Sequence, residues 1–133
     1  MVKKLRYDEE IGNVFDIKIN ENKCIVLLEE GKEFSGRLEL VYESGEIYSE
    51  GNIEKGVKEG VWKTFYETGE LMCECPVVDN KFFGDYKQYN KYNVLVYKCF
   101  MRNNMKNGDE IYYNRQGKEI IKRKYVNNRE IKS

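Results

Sequence analysis

The chain has 133 residues and equal numbers of basic and acidic side chains, 23 of each, so its length bounds it to one domain and its net charge is zero. It contains 11 Tyr, 6 Phe, one Pro, no Ala and no His. Without the best helix former, and with so many rings, it reads as all-β; without His it lacks the commonest general base and metal ligand.

Residues 1–10 are polar and are expected to form a short edge or a loose tail. They lack the apolar stretch of a signal peptide. The longest apolar run, Cys24 to Leu28, is far too short for a membrane span, so the expected setting is soluble and cytoplasmic. Residues 11–35 read as a worn repeat unit. "NVFDIKI" and "CIVLLEE" are two strand-like runs with "NENK" between them, and Gly12 stands in phase with Gly36. Terminal repeats are commonly atypical because they cap a stack.

From Gly36 the chain repeats every 24 residues without gaps: 36–59, 60–83, 84–107 and 108–131. One column reads Gly45, Gly69, Asn93, Gly117 and another Gly56, Asn80, Asn104, Asn128. Gly and Asn tolerate a left-handed backbone, so both columns predict turns. Between them lie two short strands per copy. In the second strand Leu71, Cys73, Cys75 and Val77 alternate, which predicts one buried face. Trp62 and Phe65 in the first strand differ in parity, which calls for a bulge or a bend. A fixed period of this length marks a repeat architecture. The fold expected is an elongated antiparallel β-meander of about five stacked 24-residue β-hairpins within a single domain, 1–133. Such a sheet has open edges, and the basic tail "KEIIKRKYVNNREIKS" would discourage end-to-end pairing.

The units resemble those of the MORN-repeat-variant family, which read roughly Gly-x-Trp-x-x-Tyr-Tyr-x-x-Gly-x-Leu. Gly60, Trp62, Phe65, Tyr66, Gly69 and Leu71 match well. Gly36, Tyr42, Gly45 and Ile47 match in part, as do Tyr86, Tyr89 and Leu95. In the third copy Asn93 replaces the turn Gly, and in the fourth Glu110 and Glu119 stand where Trp and Leu belong. The resemblance implies a hairpin-repeat fold. It also implies an antitoxin or immunity protein of a bacterial toxin system, with a toxin as partner. MORN-type repeats are associated in other settings with membrane lipids and protein assembly.

Catalytic signals are missing. Cys24, Cys73, Cys75 and Cys99 have no His partner and no zinc-ligand spacing. Cys75 and Cys99 share a column, and with one strand between them they are expected ~9.5 Å apart, too far for a disulfide. They read as small apolar fillers. No Gly-rich loop opens a helix to cradle phosphate. The expectation is a non-enzyme with no cofactor and no metal.

Three sets of residues are candidates for contact. The aromatic set is Tyr42, Trp62, Tyr66 and Tyr86, which serve as binding anchors if exposed and as core rungs if not. The acidic set is Glu43, Glu46 and Glu50, recurring as Glu67, Glu70 and Glu74. Residues 1–60 hold 9 basic and 14 acidic side chains, a net of −5, and residues 61–133 hold 14 and 9, a net of +5. An acidic first half would meet a basic protein; plain solubility explains the same charges. The third set, Lys122, Arg123 and Lys124, would carry peripheral contact with an anionic membrane surface. Single-stranded nucleic acid stacking on the aromatic rungs is disfavoured by the zero net charge.

Overall fold

The structure, a computed structural model, describes residues 1–6 and 14–132, so Gly12 and the other residues of 7–13 lie outside it. The described residues form strands and turns, with no helix. An 11-stranded sheet contains β1 (Val2–Arg6), β5 (Gly36–Val41), β6 (Ile47–Glu54), β7 (Val57–Phe65), β8 (Leu71–Val78), β9 (Lys81–Phe82), β10 (Gly84–Tyr89), β11 (Leu95–Arg102), β12 (Met105–Tyr113), β13 (Glu119–Val126) and β14 (Arg129–Ile131). From β5 to β14 it is an antiparallel meander in chain order, with β9 hanging from β8. β1 lies parallel to β5 at the edge.

The N-terminal unit departs from the expected stack. β2 (Asp16–Ile19), β3 (Ile25–Glu29) and β4 (Lys32–Glu33) form a separate three-stranded sheet. It is still built like a repeat. Its β2–β3 turn has the same pair of backbone bonds as the β10–β11 turn, with Lys23 (φ 61°) in the place of Asn93 (φ 67°). Its β3–β4 tip, Glu30 and Gly31, has both residues at positive φ, like the tips of the main sheet. The physical reason for the departure is burial. β1 already occupies the edge of β5, and a single sheet has no interior. Folded over one face, the small sheet buries Phe15, Leu27 and Phe34 against Leu5, Leu38, Ile53, Trp62 and Val77 in one core. The side of the main sheet beneath it is termed the inner face.

Both turn columns hold the backbone foreseen for them. Gly45, Gly69, Asn93 and Gly117 have φ between 67° and 103°. At the hairpin tips Lys55–Gly56, Asp79–Asn80, Asn103–Asn104 and Asn127–Asn128, both residues have positive φ, the geometry that suits strand twist in two-residue hairpins. The Asn of each tip clasps the preceding repeat. The amides of Lys58, Phe82 and Lys106 donate to the Oδ1 atoms of Asn80, Asn104 and Asn128 at 2.7, 2.7 and 2.6 Å. Gly56 breaks the Asn column because the small sheet presses on that tip: a Cβ there would meet Val26 Cγ1 at 2.4 Å. The parity change between Trp62 and Phe65 coincides with a slip of the ladder at Thr64/Phe65, repeated at Leu40/Val41, Gln88/Tyr89 and Tyr112/Tyr113.

Candidate functional site

Strand register places one row across the inner face: Leu38, Gly51, Trp62, Cys75, Tyr86, Cys99, Glu110, Arg123. Each residue is matched to the next except across the slip beside Gly51 and the β8–β10 step, where the ladder pairs lie further along the strands. The first half of this row is core. Trp62 is 7 % exposed, and its ring lies so close on Gly51 that a Cβ there would be 2.2 Å from the indole. Its Nε1 donates to the Asn52 carbonyl at 3.1 Å. As an exposed anchor Trp62 is therefore corrected: the small sheet covers it.

Past β8 the core cluster ends, and among the described residues no second layer lies over the inner face. Rings line this bare half. Phe82, Tyr86, Tyr97 and Tyr112 form an edge-to-face chain with centroid separations of 5.9, 6.1 and 4.9 Å. Phe82, Tyr86, Tyr97 and Met101 border an open hollow of about 350 Å3 that ends at Lys106. Of the aromatic candidates, only Tyr86 lies here. Tyr42 and Tyr66 sit at the opposite ends of the hairpins, where their hydroxyls donate to the carbonyls of Phe65 (2.9 Å) and Tyr89 (2.7 Å), stitching each repeat to the next.

Glu110 closes the row. It is 1 % exposed, with no covering layer, because its own partners wrap it. Tyr97 donates to it at 2.6 Å, Lys106 at 2.9 Å and Tyr125 at 3.3 Å, and Arg123 Nη1 stands at 3.6 Å. Burial pushes its pKa up, but the bonds from Tyr97 and Lys106 outweigh it and hold the carboxyl below the ordinary range. The bond to Glu110 raises the pKa of Lys106, while burial and then the same carboxylate raise that of Tyr97. Burial likewise pushes the Cys75 thiol up to about 12 and raises Cys99. All four cysteines are free thiols, and the shifted pair is poorly suited to nucleophilic work. Among the described residues no group of three or more Cys, Asp or Glu is placed to hold a metal.

On the outer face a second row runs Lys4, Glu39, Glu50, Lys63, Glu74, Lys87, Lys98, Ile111, Lys122, each opposite the next. Lys63 thus separates Glu50 from Glu74, so the two do not form a continuous acidic strip, and Arg37 answers the adjacent Glu39–Glu50 pair, with its Nη2 2.9 Å from Glu50. Glu43, Glu46, Glu67 and Glu70 cluster instead at the wide turns. The Thr68 hydroxyl bonds Glu70 and lowers its pKa. The basic triplet is divided between faces: Lys122 pairs with Asp109 on the outer face (3.6 Å), Lys124 stands opposite Asp109, and Arg123 turns inward to Glu110.

Glu110, Tyr97 and Tyr112 were not among the candidates. The signal was present: Glu110 breaks the Trp column, and Lys106 stands four residues before it. No sequence family, curated protein or solved structure matches this chain. No helix among the described residues is long and apolar enough to cross a membrane.

Proposed function

We propose that the chain is a non-catalytic protein-interaction module whose contact surface is the bare half of the inner face, from Phe82 and Tyr86 across Tyr97 to Tyr112 and Ile121. The observation that carries this reading is the contrast along one sheet: its first half buries its inner face under a second layer, and its second half presents rings with no described residue layered over them. Half-exposed tyrosines on a rigid sheet supply contact area at little entropic cost. The repeat motif supports the narrower version, an antitoxin or immunity partner of a bacterial toxin. A photo-crosslinking residue at position 97 or 121 should trap one discrete protein in the native host, and the same residue at position 63 on the outer face should not. Equal labelling from both faces, or none from positions 97 and 121, overturns the reading.

A second reading rests on Lys87 and Lys98, which stand directly opposite each other on the outer face with Lys122 further along the row. Like charges in register are unfavourable unless an anion answers them. Phe83, Ile120 and Val126 are exposed apolar residues in the same half of the chain. An anionic membrane surface would answer both features. Co-sedimentation with vesicles containing phosphatidylserine, abolished by replacing the three lysines with Gln, is the expected result. Equal binding to neutral vesicles rules it out.

A further inference from the structure

We propose that the recess between the β2–β3 turn and the tips of the β6–β7 and β8–β9 hairpins is a phosphate-binding site. It is an open recess of about 380 Å3 bordered by Lys23, Lys58, Lys81 and Asn104, with no carboxylate among its lining residues. The three cations come from different elements, the small-sheet turn, β7 and β9, so the fold rather than local sequence gathers them.

The repeat supplies its own control. Lys58 and Lys106 occupy the same repeat position, and each ammonium lies on a ring face, Trp62 at 4.6 Å and Tyr125 at 4.2 Å. Lys106 also has the carboxylate of Glu110 at 2.9 Å. At Lys58 the equivalent of Glu110 is Trp62, so the ring is present and the anion is not. Among the described residues no carboxylate pairs with Lys58, and burial alone lowers its pKa. The nearby Glu59 carboxylate is engaged by the Asp79 amide at 3.2 Å. Asn104 spends its Oδ1 on the Phe82 amide, which leaves its Nδ2 as a donor for a ligand.

Three lysines and an asparagine around one recess, with no carboxylate in its lining, favour a multivalent oxyanion that could draw their flexible ammonium groups onto it; a monocarboxylate would leave most of that charge unanswered. Buried Leu27 gives the recess an apolar floor, which weakens solvent screening on that side. The recess exceeds the size of free phosphate, so its shared chemistry is a phosphate group, free or carried on a small organic residue. This site is separate from the bare inner face and does not depend on the protein-binding reading.

The test is calorimetric titration of the full chain with inorganic phosphate at neutral pH and fixed ionic strength, with glycerol phosphate, glutarate and chloride as the other arms. Saturable binding with a dissociation constant on the order of 1 mM or tighter is expected. Lys58→Met and Lys81→Met should each weaken it by roughly tenfold or more, and Lys63→Met on the outer face should leave it unchanged. Tighter binding of glycerol phosphate assigns the organic-linked form, and tighter binding of inorganic phosphate the free ion; either upholds the site. Absence of saturation, a chloride response equal to that of phosphate, tighter binding of glutarate, or equal losses in Lys63→Met and Lys81→Met overturns it. Should Lys58→Met fail to fold, the hairpin-tip variant Lys81→Met carries the decision alone.

Discussion

Trp62 and Glu110 hold the same position two repeats apart, and they satisfy it with opposite chemistry. At the first, a ring lies on Gly51 beneath a second sheet and belongs to the core. At the second, the residue below is Cys99, no sheet of the described residues lies above, and a carboxylate gathers Tyr97, Lys106, Tyr125 and Arg123 around itself. The backbone of the repeat is indifferent to which solution it carries. What selects between them is the layer above: under cover an apolar ring is stabilised by burial, whereas without cover an ionic knot makes its own shelter. The same difference leaves Lys58 without the anion that Lys106 has.

The largest test of this contrast is at the covered corner. Trp62→Ala should lower the unfolding free energy by about 3–5 kcal/mol, read as a shift of the urea midpoint. Gly51→Val should be of similar severity, because the indole has no room to retreat from a side chain at that position. If either change costs no more than a surface substitution, the small sheet is not the layer that holds this half together.

Much of this architecture was legible before any coordinates. The two Gly/Asn columns located every turn of the main sheet, because positive φ restricts the choice of residue so severely. The alternation Leu71, Cys73, Cys75, Val77 gave the inner face of β8, and the odd spacing of Trp62 and Phe65 gave the ladder slip. The fate of the N-terminal unit was hidden. Phe15, Leu27 and Phe34 show that a face is apolar, but local pattern does not tell whether it extends the stack or folds over it. That choice depends on β1 taking the edge of β5, a non-local parallel pairing. The candidate sites suffered from the same limit. Consecutive Lys122, Arg123 and Lys124 look like one patch in sequence, yet strand pleating sends the middle one to the other face. Glu50 and Glu74 form an acidic column only until the intervening strand inserts Lys63.

At the uncovered corner, Glu110→Gln should cost about 2 kcal/mol, less than the loss at Trp62, because Lys106 and Arg123 are partly exposed and water can receive them. The cost should depend on pH. The folded-state pKa of Glu110 is depressed, so its contribution is present above the ordinary value of 4.5 and is lost as pH falls through the folded-state value. Lys106 is raised, so its contribution is present below the ordinary 10.5 and is lost as pH rises beyond it. The stability gap between the native chain and Glu110→Gln should therefore be flat across neutrality and close on acidification. A gap that persists below the carboxylate range would mean that Glu110 acts by shape, as Trp62 does, and the contrast would dissolve.

The finest test concerns how repeats are tied at their wide turns, where the two halves differ again. Tyr42 and Tyr66 reach across to the next repeat, donating to the carbonyls of Phe65 and Tyr89. In the same column Asn90 and Asn114 turn back on their own loops: Asn114 Oδ1 accepts from the amides of Gln116 and Lys118 at 2.9 and 3.0 Å. Tyr66→Phe and Asn114→Ala should each cost about 1 kcal/mol, and they should differ in reach. Native-state hydrogen exchange should show loss of protection on both sides of the Tyr66 stitch, in β7 and β10, whereas Asn114→Ala should loosen only its own turn. Protection lost over the same span in both variants would mean that the hydroxyl stitch does not couple neighbouring hairpins, and that adjacency in the sheet is enough.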